Sequence, residues 1–136
     1  MSLNFEKWHG NGNDFVIINS VEQNIKLKKS FIKKISDRNK GIGFDQLIVI
    51  TLPTKYNYDF FVRFYNSDSS EAGMCLNGIR CASSYIWKNS LAPIKKIFFK
   101  TKYIDIKCSP GNNNDVSVII NKPKEIENIT LKKKLD

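Results

Sequence analysis

A cysteine at position 75 stands where a protein can make a thiol reactive. It opens the segment CLNGIRC over residues 75–81, at the predicted start of a helix over residues 75–89. The first backbone N–H groups of a helix lack partners within it, and the aligned peptide dipoles make that end positive. Both features stabilise a thiolate, and the N–H groups of Leu76 and Asn77 can hold a substrate anion. Cys75 is therefore a candidate acid–base residue, and the alternative is a buried structural thiol.

The other two cysteines are expected to be structural. Cys81 follows Cys75 by six residues, which is a helical rotation of about 240°, so it is expected to face away from the same pocket. Cys108 ends a predicted strand and belongs to no motif. With one histidine and no Cys-x-x-Cys pair, the sequence predicts no metal site. Three cysteines do not form a disulfide framework and indicate free thiols.

Three amide side chains stand at the ends of predicted strands. Asn13 closes the turn that begins at His9, Gln46 opens an apolar strand, and Asn66 ends the strand YDFFVRFYN. Amides at the rim of a sheet can bind a polar ligand. The Gly-Asn-Gly-Asn turn does not match the dinucleotide-binding fingerprint, because the third glycine is missing and a strand follows. His9 can act as a general base or stabilise this turn.

The elements that must position these residues are those of an α+β fold. Ser30 is a predicted N-cap of the first helix, with Phe31, Ile32 and Ile35 on its apolar face. The predicted helices span residues 30–38 and 75–89, and the predicted strands span residues 3–9, 14–20, 45–52, 58–66, 95–101, 103–108 and 115–121. We expect mostly antiparallel strands with one helix buried against them.

Four segments occur together in one order. They are HGNGNDFV at 9–16, DRNKGIGFDQL at 37–47, RFYNSDSSEA at 63–72 and CLNGIRC at 75–81. This set resembles the N-terminal half of diaminopimelate epimerase, a cofactor-independent amino-acid epimerase. The resemblance implies two similar lobes, each a sheet wrapped around a central helix, with the substrate in the cleft between them. It also implies that each lobe gives one cysteine, so that one thiolate removes the α-proton while the other thiol protonates the opposite face.

The resemblance assigns a role to each matching residue. Cys75 matches the catalytic cysteine of the first lobe, and no cofactor is implied. The residues that match substrate-binding groups are the side-chain amides Asn13, Gln46 and Asn66 and the backbone donors Leu76 and Asn77. Two positions depart from the family pattern: Leu76 replaces a glycine after the cysteine, and DSSE at 68–71 replaces DGSE.

The chain has 136 residues, about half the length of the family chain. We expect an N-terminal lobe over residues 1–118 and, over 119–136, a truncated start of a second lobe or a tail. The chain is then a fragment, a truncated gene product, or a homodimer in which two copies imitate the two lobes. The functional alternatives are a non-catalytic remnant or homodimerising module, or another racemase or isomerase of the same fold.

The formal net charge of +9 arises from a composition of 19 Lys and three Arg. Because AT-rich codons favour Lys, Asn and Ile, this charge does not by itself indicate a nucleic-acid partner, and none is expected. We expect each arginine, at 38, 63 and 80, to make a planar bidentate contact. The N-terminus lacks the apolar core of a signal peptide, and no apolar run reaches membrane-spanning length. The protein is therefore expected to be cytoplasmic and without a membrane partner. The resemblance implies a small amino-acid diacid as its substrate.

Overall fold

The computed structural model describes residues 3–23 and 25–121, which form one mixed β-sheet with two α-helices. A 3₁₀ turn, Asn112–Asn114, joins the last two strands. The strands are β1 (Glu6–Gly10), β2 (Asn13–Asn19), β3 (Gln46–Thr51), β4 (Phe60–Asn66), β5 (Glu71–Ala72), β6 (Ile97–Lys100), β7 (Asp105–Pro110) and β8 (Val116–Asn121), and the helices are α1 (Lys29–Ser36) and α2 (Leu76–Lys88).

The strand order in the sheet is β1-β2-β3-β4-β6-β7-β8, with the short β5 paired to β4. Five pairings are antiparallel, and two, β2 with β3 and β4 with β6, are parallel. A helix lies in each parallel connection, α1 in the first and α2 in the second, as a crossover between parallel strands requires. The expected α+β content is present, and the sheet is mixed.

Strands β2 and β3 carry long apolar runs because both of their faces are covered. In β2, Phe15 and Ile17 belong to the core that contains α2, whereas Val16 and Ile18 belong to a second core that contains α1. Successive side chains of a strand point to opposite faces, so an uninterrupted apolar run fits a strand that is buried on both sides. All four of these side chains are fully buried.

Helix α2 contacts β1, β2, β3 and β8, which come from opposite ends of the strand order. The sheet therefore curls toward α2. Ile32 and Ile35 of α1 pack on the other face. The resemblance implies a sheet wrapped around one central helix. The structure has a second layer, formed by α1, on the other face of the sheet.

Several predicted boundaries need correction. The N-cap of α1 is Lys28, which makes no side-chain cap bond, so the prediction of Ser30 as N-cap is wrong. The two-residue β5 was not predicted, since a pair of residues has no periodicity. Strand β8 crosses the predicted domain boundary at residue 118. Residues 122–136 lie outside the described residues, so the division into 1–118 and 119–136 stays a prediction. No helix in the described ranges is long and apolar enough to cross a membrane.

Candidate active site

Cys75 is the N-cap of α2. Its backbone is extended, with φ −124° and ψ 120°, and its Sγ accepts a hydrogen bond from the Gly78 N–H at 3.4 Å. The backbone N–H of Ile79 donates to the Cys75 carbonyl at 2.9 Å, which closes the first helical turn. The N–H groups of Leu76 and Asn77 have no protein acceptor within residues 3–23 and 25–121. A half-buried sulfur therefore lies beside two free backbone donors.

Gly78 sets how closely this helix start approaches the sheet. A Cβ at Gly78 would lie 3.0 Å from Cε1 of Phe64 and 3.2 Å from Cδ1 of Ile48. Both neighbours are fully buried core residues, so they have little room to yield. The absent side chain thus allows the first turn of α2, and with it Cys75, to lie directly against β3 and β4.

One chain of hydrogen bonds joins the first turn of α2 to the hairpin between β1 and β2. Nδ2 of Asn77 donates to Oδ1 of Asn13 at 3.4 Å, and Nδ2 of Asn11 donates to Oδ1 of Asn77 at 3.3 Å. Nδ2 of Asn13 in turn donates to Oδ2 of Asp45 at 3.4 Å. These bonds are long and exposed, so the amides are near each other but remain accessible to a ligand.

A second chain joins the ends of β3 and β4. Nε2 of Gln46 donates to Oδ1 of Asn66 at 3.1 Å, and Nδ2 of Asn66 donates to Oγ of Ser70 at 3.0 Å. Oε1 of Gln46 is buried and has no hydrogen-bond partner in the described part of the chain. A buried acceptor without a donor costs about 1–3 kcal/mol.

The topology explains why these residues meet. Asn13 begins β2, Gln46 begins the parallel β3, and Asn66 ends the antiparallel β4, so all three lie at the same edge of the sheet. Asn77, one turn into α2, is hydrogen-bonded to this edge, and Cys75 precedes it by two residues. The structure thus brings all the predicted site residues to one edge of the sheet.

Two neighbouring cavities are lined by different subsets of residues. One, of about 760 Å³, is lined by Asn77 and Cys81 among others, and one of about 510 Å³ is lined by Asn13 and Asp45 among others. Neither is lined by Cys75, Gln46 or Asn66. The predicted residues therefore lie at one edge of the sheet but do not line one enclosed cavity.

Of the two buried thiols, Cys81 lies in the wall of the larger cavity and Cys108 lies in the core. Sγ of Cys81 points to the end of β1, where it donates to the carbonyl of His9 at 3.9 Å. Burial raises the pKa of the Cys81 thiol, and the nearby Cys75 adds to the increase. Burial also raises the pKa of Cys108, which is fully enclosed in the core. Both are suited to remain protonated packing residues, as expected from the sequence.

A cluster of charged side chains lies beside the amides, and the sequence did not indicate that these side chains come together. Arg38 makes a bidentate contact with Asp14, with both N···O distances at 2.9 Å, and the guanidinium holds the pKa of the Asp14 carboxyl well below its usual range. The expectation of a bidentate contact is therefore confirmed for Arg38. It is wrong for Arg63, which stacks over Phe61, and for Arg80, whose Nε makes a single bond to the Val116 carbonyl.

The two departures from the family pattern have different conformations. Leu76 is the first residue of α2, with an ordinary helical backbone, and the residue is 42% exposed. Ser69 has φ +76° in a buried turn. Serine there retains a left-handed conformation that glycine adopts without steric cost.

Sequence comparisons match most of the chain to one family. The family model for diaminopimelate epimerase matches residues 5–126. A diaminopimelate epimerase from Blochmanniella pennsylvanica (strain BPEN) is 41% identical over 121 residues, covering 89% of this chain and 44% of the relative. One from Psychrobacter sp. (strain PRwf-1) is 40% identical over 124 residues, covering 91% of this chain and 42% of the relative. The chain thus spans less than half the length of these relatives.

Solved structures share the fold at low sequence identity. Methylitaconate-delta-isomerase superposes with a TM-score of 0.61 at 13% identity, covering 85% of this chain and 62% of that one. A phenazine biosynthesis protein of the PhzF family from Bacillus anthracis gives a TM-score of 0.56 at 15% identity, covering 85% of this chain and 38% of that one. At such identities the likeness concerns the fold alone. The family match over residues 5–126 and the relatives at about 40% identity go further: the chain belongs to the diaminopimelate epimerase family.

Proposed function

We propose that this chain forms one lobe of a cofactor-independent epimerase that interconverts LL- and meso-diaminopimelate, with Cys75 as one of two acid–base thiols. The observation that carries the proposal is the position of Cys75. Its sulfur lies at the start of α2, beside the free N–H groups of Leu76 and Asn77 and next to an edge lined with amides. The relatives named diaminopimelate epimerase, at 41% and 40% identity, support this assignment.

The α-carboxylate of the substrate binds to the N–H groups of Leu76 and Asn77. This places the α-carbon near the sulfur of Cys75 and lets the positive end of α2 stabilise negative charge. The α-proton of an amino acid is a very weak acid, so charge that develops in the transition state needs fixed dipoles in a site from which water is excluded. The first turn of α2 supplies such dipoles.

The amides recognise the polar remainder of the substrate. Asn13 and Asn66 offer side chains that can both donate and accept hydrogen bonds. Gln46 is assigned the same role through its side-chain amide, which is hydrogen-bonded to Asn66. Such a set favours a long substrate with polar groups at both ends over a compact apolar one, since polar side chains of the site that find no partner on the ligand lower affinity.

The reaction is a balanced proton exchange. The Cys75 thiolate takes the α-proton as the C–H bond breaks, and the electron pair is delocalised into the carboxylate. A second thiol delivers its proton to the opposite face of the α-carbon and becomes a thiolate. For the reverse direction the two thiols exchange roles.

The second thiol comes from outside the 136 residues. The two buried thiols are unsuited because burial raises the pKa of each and neither begins a helix. The partner is a C-terminal lobe or a second copy of this chain. We place the reaction in the cytoplasm, where a reducing environment keeps acid–base thiols free, and assign no nucleic-acid or membrane partner.

The test measures deuterium exchange at the α-carbon and optical inversion of diaminopimelate. The purified chain alone is expected to be inactive. Turnover is expected when it is mixed with the part of the Blochmanniella pennsylvanica relative that this chain does not cover. Cys75→Ala should abolish the reconstituted activity, while Cys108→Ala serves as the control substitution. Inversion by the chain alone would favour a homodimer, and no inversion with either partner would favour a non-catalytic remnant.

A further inference from the structure

We propose that Arg38 is a positioning residue that holds Asn13 and Gln46 at a fixed separation by binding the two aspartates next to them. The Arg38 cluster consists of Arg38, Asp14, Asp45 and Lys7. The proposal rests on the proposed function for the identity of the ligand, and on the hydrogen bonds of the cluster for everything else.

The cluster binds both aspartates at once. The guanidinium donates to the two carboxylate oxygens of Asp14 at 2.9 Å each, and Nη2 also donates to Oδ1 of Asp45 at 3.2 Å. Lys7 lies 3.0 Å from Oδ2 of Asp14. Two positive and two negative charges therefore balance, and both Nη atoms of Arg38 are already engaged. This arrangement suits a fixed scaffold better than a binding site for a ligand carboxylate.

The aspartates also lock their two backbone segments together. The N–H of Asp45 donates to Oδ1 of Asp14 at 2.8 Å, and the N–H of Asp14 donates to Oδ2 of Asp45 at 3.1 Å. Asp14 directly follows Asn13, and Asp45 directly precedes Gln46. The pair of reciprocal bonds thus lies between the two amides that the proposed ligand would contact. Charge-assisted bonds of this kind are the strong ones in a protein.

The chain between α1 and β3 is shaped to bring Arg38 to this place. Gly43 has φ +79°, and a Cβ there would lie 2.8 Å from Cγ and 3.0 Å from Cα of Arg38. The carbonyl of Gly43 accepts from Nζ of Lys7 at 2.7 Å. The glycine therefore leaves room for the stem of Arg38 and joins the cluster through its backbone.

The experiment compares Arg38→Lys with the matched substitution Arg63→Lys. Lysine keeps the positive charge but cannot make two parallel bonds to a carboxylate. Arg63 is exposed on β4, stacked over Phe61 and outside the cluster. Backbone hydrogen exchange is followed by NMR in the 136-residue chain. In Arg38→Lys the amide of Asp14 should exchange about tenfold faster, because it donates to the Asp45 carboxylate, which has lost its bond from Arg38. The amide of Asp45 should also exchange faster, but by less, because it donates to the Asp14 carbonyl as well as to the Asp14 carboxylate.

A second measurement reports on the ligand. Diaminopimelate is titrated into the labelled chain while the side-chain amide signals of Asn13 and Gln46 are followed. Arg38→Lys should weaken binding by about tenfold, the effect of misplacing one or two good hydrogen bonds. Arg63→Lys should leave both the exchange and the binding unchanged. If Arg38→Lys does not fold, Asp45→Asn removes the negative charge that faces Nη2 of Arg38, at a 43% exposed side chain, and should act in the same direction.

The outcomes separate the possible failures. Unchanged exchange at Asp14 and Asp45 would overturn the positioning role. An equal acceleration of amide exchange in the core, for example at Ile48, would also overturn the positioning role, because such a change would indicate a general loss of stability. Absence of diaminopimelate binding by the wild-type chain would count against the proposed function, and the exchange measurement would then decide the positioning role by itself.

Discussion

Gly78→Ala should destabilise the protein, although alanine is the better helix former. Gly78 is the third residue of α2, and an added Cβ would meet Cε1 of Phe64 at 3.0 Å and Cδ1 of Ile48 at 3.2 Å. Carbon atoms in van der Waals contact lie about 3.5–4.0 Å apart, so either the neighbours or the helix must move by several tenths of an ångström. The same Cβ would lie 3.4 Å from Cβ of Cys75. The substitution therefore also tests how the thiol is held.

Two opposing contributions set the change in the free energy of unfolding. Replacing glycine with alanine inside a helix gains up to about 1 kcal/mol, and less in the first turn. Overpacking a close-packed core costs about 1–3 kcal/mol. Because Phe64 and Ile48 are both fully buried, we take the middle of that range, which leaves a net loss of about 1 kcal/mol. For a chain of this size the midpoint of thermal unfolding should fall by about 2–5 °C.

The assay is thermal and urea unfolding followed by circular dichroism, with Gly73→Ala as the matched control. A Cβ at Gly73 meets only the ring of Tyr103, at 3.6 Å and 3.9 Å, which is ordinary contact. Gly73→Ala should therefore be close to neutral. The alkylation rate of Cys75 should change in Gly78→Ala and not in the control. A Gly78→Ala protein as stable as the wild type, with unchanged Cys75 reactivity, would refute the close contact between α2 and the sheet.

Three further outcomes are expected. Iodoacetamide at neutral pH should modify Cys75 at least about a hundredfold faster than the two buried thiols, which react only through local opening; peptide mapping that finds faster labelling of a buried thiol would contradict the site. Arg38→Gln should lower the free energy of unfolding at pH 7. Because the fork lowers the pKa of Asp14 in the folded state, this difference should shrink as the pH falls below about 4 in urea unfolding, and a difference that grows would contradict the contact. Ser69→Gly should raise stability by about 0.5–1 kcal/mol by relieving the left-handed backbone, and a loss of stability in urea unfolding would contradict that explanation.

The elements with the clearest sequence signals were predicted most closely. Strand β2 was expected at 14–20 and spans Asn13–Asn19, because its apolar run reflects burial on both faces. Helix α2 was expected at 75–89 and spans Leu76–Lys88, because its apolar positions repeat with the helical period. The two parallel pairings were not predicted, since the neighbour of a strand across a helical connection is set by tertiary packing and not by local pattern.

The candidate site divides in the same way. Each amide could be picked out because it stands at the end of a strand, but the edge at which the three strands end together follows from the strand order. For the Arg38 cluster, the sequence predicted only that Arg38 makes a bidentate contact. Its partner, Asp14, is 24 residues away in sequence and belongs to another strand, so no local spacing could identify it.

Leu76 and Ser69 both replace a glycine of the family pattern, but the two replacements have different physical consequences. Leu76 stands where only the backbone N–H is required for the proposed carboxylate contact, and its conformation is helical, so a side chain that is partly exposed leaves the donor in place. Ser69 stands where the backbone itself must turn, and its φ of +76° keeps the conformation that glycine would adopt freely. Leu76 therefore alters the shape of the site, whereas Ser69 strains the backbone of a buried turn. Only the first should change ligand binding directly, because Leu76 is part of the predicted site and Ser69 is buried.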